Sequence, residues 1–134
     1  MNATKWLSRL IGIGAVLEVP TGSGLLAVPS SISTLLLGAP LSGTGLVVAR
    51  IAGGGLLALG IACWFARSTP ISWAGLGVAG AFLTYNVVVC VTLFTALAGP
   101  GSNALLLSVA VLHGLLGAGL LIALVACARQ RVTA

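Results

Sequence analysis

Long apolar stretches, separated by short clusters of Gly, Pro, Ser and Thr, divide this chain into four segments of membrane-spanning length. The first begins near Lys5 and runs to Pro20 or slightly beyond; the others cover residues 45–66, 71–97 and 104–128. At 1.5 Å per residue the second is about 33 Å long, close to the hydrocarbon thickness of a bilayer. The connections RSTP and AGPGSN are short and rich in helix breakers, which makes consecutive spans antiparallel neighbours. The pattern predicts an all-α membrane protein: an up-and-down bundle of four transmembrane helices forming a single domain over residues 1–134.

Between the first two spans the pattern changes. Pro20, Gly22, Gly24 and Pro29 interrupt it, Leu25, Val28, Ile32 and Leu35 share one helical face, and Ser23, Ala27, Ser31 and Thr34 share another. Pro29 suits a first helical position and Gly38 a C-terminal cap. This predicts a short amphipathic helix over residues 29–37, interfacial or re-entrant rather than a fifth crossing.

Composition agrees with that reading. Hydrophobic residues make up 59% of the chain and charged residues only 5%, too few to give each long helix a solvated face. The formal net charge is +5, but the basic residues sit mostly at segment ends, as anchors of a membrane protein, so nucleic acid is set aside as a partner. Lys5, Arg9, Arg67, Arg129 and Arg131 fall on one side of a four-span chain, and the GAPLSGTG and AGPGSN loops on the other carry no charge. The positive-inside rule then places both termini in the cytoplasm. The first span serves as a retained insertion signal, since Glu18 and Pro20 stand where a cleavage site would be. Cys63, Cys90 and Cys127 lack metal-ligand spacing and read as packing residues.

Against this background Glu18, the only acidic residue, is conspicuous, because an ionisable group in lipid calls for a partner or a task. Each further span supplies a candidate partner: Arg50, the pair Tyr85 and Asn86, and His113. Counting from the span ends, Arg50 and Asn86 lie about 8–10 Å deep and Glu18 and His113 about 13–14 Å, so the five are expected to form one polar layer in the outer half of the bundle. Glycines one turn away (Gly14 from Glu18, Gly54 from Arg50, Gly117 from His113) would let neighbouring helices approach these faces. An ion pair between Glu18 and Arg50 is the simplest expectation, with Arg50 snorkelling to the outer head groups as the alternative, and interhelical hydrogen bonding is the plainest role for the rest.

One His, one acid and no paired carboxylates give no catalytic or metal-binding set, so an enzyme is not expected. The run Gly53, Gly54, Gly55 has no following Lys and lies in a span, which excludes a phosphate loop. The succession EVPTGSGLLAVP, LLLGAPLSGTG, ARIAGGGLLALGIACW and TYN, ending with a helical His, is similar to a class of small four-helix bacterial integral membrane proteins, which implies a bacterial inner-membrane location. In length, four spans and a single first-span glutamate the chain also resembles the small multidrug resistance transporters, although WAGLGVAGAFLTYN and Arg50 depart from their pattern.

Three functions compete. An accessory subunit or binding module would use the polar layer to hold a quinone or a lipid, or to dock on a larger membrane complex or a second copy of the chain. A proton-coupled transporter would exchange protons at Glu18. A purely structural bundle would use the same side chains as hydrogen-bonding glue. The one-sided charge favours the accessory or binding role, and no cofactor is specified by the sequence.

Overall fold

The structure, a computed structural model, describes residues 2–132; the side chains of residues 131 and 132, Arg131 among them, lie outside the description. Five helices account for the described fold: α1 (Ala3–Ala27), α2 (Pro29–Leu37), α3 (Thr44–Ala66), α4 (Trp73–Ala96) and α5 (Ala104–Val132). All but α2 are long and apolar enough to cross a bilayer, and the chain is an integral membrane protein built as a four-helix bundle. Its outer surface suits lipid: Ile51, Phe65 and Trp73 are exposed by 71, 72 and 89%.

Helix ends follow local chemistry. Asn2 caps α1 by accepting from the Thr4 amide, Ser72 caps α4 by accepting from the Gly75 amide, and Asn103 caps α5 by accepting from the Leu106 amide. Pro29 opens α2 and Gly38, at φ 74°, closes it in the left-handed region, as the sequence pattern predicts.

One span boundary differs. α1 does not end near Pro20 but continues seven residues further, to Ala27. Packing explains this, because Gly22 lies against α3 so closely that an added Cβ would meet the Gly53 carbonyl oxygen and the Leu57 amide nitrogen at 2.6 Å. That contact holds the second half of α1 helical despite the amide missing at Pro20. Close backbone approach recurs at Gly60, whose added Cβ would lie 3.0 Å from the Val19 nitrogen.

α1 packs on α3 over most of its length, and α4 packs on α5. The α1–α3 contact is antiparallel: Gly22 meets Gly53, Val19 meets Gly60, and Gly12 lies near the Arg67 side chain. Phe82 of α4 fills the space left by Gly14, and Leu10 of α1 lies against Gly119 of α5. Leu7, Ile11, Phe82, Leu120 and Cys63 are fully buried and form the core of one half of the bundle. At the other end Gly38 abuts Gly101 and the Asn103 amide donates to the Leu36 carbonyl at 3.2 Å, tying the α2 end to the start of α5.

Candidate functional site

The two halves of the bundle meet at a small polar cluster. Glu18 on α1 is 2% exposed, Asn86 on α4 is fully buried, and His113 on α5 is 8% exposed. The Asn86 amide nitrogen donates to the Phe82 carbonyl at 2.7 Å, which leaves its oxygen as an acceptor. His113 Nδ1 lies 2.9 Å from that oxygen and must be the protonated nitrogen, because an amide oxygen cannot donate. The Tyr85 ring meets the His113 ring edge-on, with centroids 5.5 Å apart, and Tyr85 lines the same cleft as Glu18. Three helices thus bring Glu18, Tyr85, His113 and Asn86 together, with Tyr85, His113 and Asn86 in direct contact in that order.

Small residues make the arrangement possible. Gly14, one turn before Glu18, leaves room for Phe82, and Gly117, one turn after His113, lets α5 approach Asn86, whose Cβ would lie 3.6 Å from an added methyl. These are two of the three glycine faces the sequence singles out. The third, Gly54, has nothing within 4 Å; its neighbour Gly53 makes the contact with α1 instead.

Arg50 is not part of the cluster, and the expected ion pair with Glu18 does not form. Arg50 is exposed, whereas Glu18 packs on Gly60, ten residues and therefore about 15 Å further along α3. Extension of α1 to Ala27 is the reason, since it sets Gly22 rather than Glu18 opposite the Gly53 turn.

A cleft of about 350 Å³ opens onto this cluster. Glu18, Tyr85 and His113 form its polar wall, while Leu17 and Thr21 of α1, Ile32, Leu35 and Leu36 of α2, and Leu105, Val109 and Leu112 of α5 supply the rest. Asn86 lies behind it as the support of His113. Of these, the α2 residues are the ones that reasoning from polar positions misses; the shared face of Ile32 and Leu35 was the available signal. Among the described residues Glu18 Oε1 is buried and has no hydrogen-bond partner. A buried polar atom left unpaired costs about 1–3 kcal/mol, so this oxygen is the point at which the cluster is incomplete.

The described residues contain no group of three or more His, Cys, Asp or Glu side chains arranged to hold a metal ion. Cys63 and Cys127 are buried, Cys90 is partly buried, and all three are unpaired. Compared with known protein families, curated proteins and solved structures, the chain gives no match, so its site is read from geometry alone.

Proposed function

We propose that the protein is a small accessory or binding module of a bacterial inner membrane, which holds a lipophilic molecule in the cleft between α1, α2 and α5 with a polar group of that molecule against Glu18. The observation that carries this reading is a mostly apolar cleft lined at one wall by Glu18, Tyr85 and His113, with Glu18 Oε1 buried and unpartnered among the described residues. Ligand sites of this kind are mostly apolar and of a few hundred cubic ångströms, with a few convergent polar groups that fix orientation. A hydrogen-bond donor on the occupant would complete Glu18, and the His113 ring, oriented through Nδ1, would direct Nε2 as a second polar point. A quinol or a lipid head group has suitable chemistry.

Structural glue alone is less well supported, because a self-sufficient network would use all its buried acceptors. Proton-coupled transport is also less well supported. On the basic side of the cluster Leu7, Ile11, Phe82 and Leu120 are packed without exposure, which favours a site entered from one side. The clustering of Lys5, Arg9 and Arg67 at the opposite end from α2 supports cytoplasmic termini, with the cleft in the outer half.

Native mass spectrometry and lipid extraction of protein purified in mild detergent test the reading. The wild type should carry a stoichiometric apolar molecule that Glu18→Ala loses while remaining folded. A wild type free of bound molecules, and unresponsive to added short-chain quinol and phospholipid, would refute it.

A further inference from the structure

A second cleft, of about 340 Å³, lies at the opposite end of the bundle between the start of α1 and the α3–α4 turn. Thr4, Lys5, Ser8 and Arg9 line one side, Arg67 and Ser68 the other. Lys5 and Arg9 are one turn apart on α1, and the Arg67 side chain reaches back to the same helix at Gly12. The arrangement is fixed by specific contacts. Ser8 Oγ donates to the Arg67 carbonyl at 2.6 Å, and Arg67 Nε donates to the Trp64 carbonyl at 3.2 Å while its guanidinium stacks 3.7 Å from the centre of the Trp64 ring. Arg67 is thereby held in place, and its terminal nitrogens make no hydrogen bond among the described residues.

Three cations thus border one small cleft, and no side-chain carboxylate lies nearby. The chain's only acid, Glu18, is nine residues beyond Arg9 on α1, about 13 Å away along the axis. Orientation in the membrane accounts for basic residues at this end, but not for their convergence, with hydroxyls between them, from two separate segments. Mutual repulsion opposes such a cluster unless an anion occupies it. We infer that this cleft binds a phosphate group that carries net negative charge, offered by the head group of an anionic phospholipid in the same leaflet or by a soluble phosphate. A phosphate accepts from guanidinium and ammonium donors together, and the cleft presents both, while the Ser8 and Ser68 hydroxyls are committed to the Arg67 and Phe65 carbonyls.

The test uses the full chain in detergent, where orientation in a membrane plays no part. Binding of phosphatidylglycerol, phosphatidylcholine and inorganic phosphate is compared by native mass spectrometry for the wild type, for Arg9→Gln with Arg67→Gln, and for the control Arg129→Gln with Arg131→Gln. Phosphatidylglycerol should bind the wild type at least about tenfold more tightly than phosphatidylcholine, and the preference should vanish in the first variant and survive in the control. Saturable inorganic phosphate binding that the first variant loses, without a lipid preference, would assign the cleft to a soluble phosphate. Should the first variant not fold, Lys5→Gln and the salt dependence of wild-type binding replace it, and a preference insensitive to both overturns the inference. Equal loss in the control, or binding of neither probe, also overturns it.

Discussion

His113 Nδ1 donates to Asn86 Oδ1 at 2.9 Å, and the bond from the Asn86 amide nitrogen to the Phe82 carbonyl turns that oxygen toward His113. Two hydrogen bonds in series therefore set the orientation of a histidine on α5 from the backbone of α4. Asn86→Leu should lower stability in detergent by about 0.6–2 kcal/mol, measured by SDS or thermal unfolding, and adding His113→Leu should recover part of the loss. Strict additivity would mean the bond contributes nothing.

His113→Leu by itself separates site from glue. The replacement keeps volume and apolar packing but removes the imidazole from the cleft wall, so the folded variant should lose its co-purifying molecule. Retention of every bound component by a folded variant would count against a role for His113.

Glu18 of α1 and Tyr85 of α4 line the same cleft, whereas Glu18 packs on Gly60, ten residues along α3 from Arg50. Double-mutant cycles should reflect this. Glu18→Gln with Tyr85→Phe should show a coupling of about 0.5–3 kcal/mol, and Glu18→Gln with Arg50→Gln should be additive to within about 0.5 kcal/mol. Coupling in the second cycle would contradict the α1–α3 register.

The glycines give a sharper test of that register. Gly22→Val and Gly60→Val place methyl groups into backbone and should destabilise by about 1–3 kcal/mol or abolish folding. Gly54→Ala meets nothing within 4 Å and should be neutral or stabilising by up to about 1 kcal/mol, as read by unfolding midpoint.

Topology is checked by cysteine accessibility in a background lacking Cys63, Cys90 and Cys127. Ser68→Cys should be labelled from the cytoplasm and Ser102→Cys only from the far side. Cytoplasmic labelling at residue 102 would exclude the four-crossing arrangement.

Much of this was legible from residue pattern. Apolar length marks the four spans, and Pro29 with Gly38 brackets α2, because lipid and backbone geometry act on each residue locally. Depth counting also brings Glu18, Tyr85, Asn86 and His113 to one level. It fails for Arg50, since the end of α1 is set by the Gly22–Gly53 contact with another helix and not by Pro20. The role of α2 as a wall of the cleft was hidden for a similar reason: it depends on Asn103 and Gly101 holding the α2 end, a contact far away in sequence.

The order of the polar partners along the chain also bears on biogenesis. Glu18 is synthesised and committed to the membrane well before Tyr85 exists, so newly made α1 waits at the insertion machinery or against α3 with its carboxyl uncompensated. α4 is better prepared, because Asn86 already donates within its own helix, to the Phe82 carbonyl. His113 arrives last and donates to the Asn86 oxygen. A ribosome stalled before α5 should therefore expose a nascent chain that membrane quality-control proteases recognise, and release of α5 should be the step at which the protein becomes resistant to them.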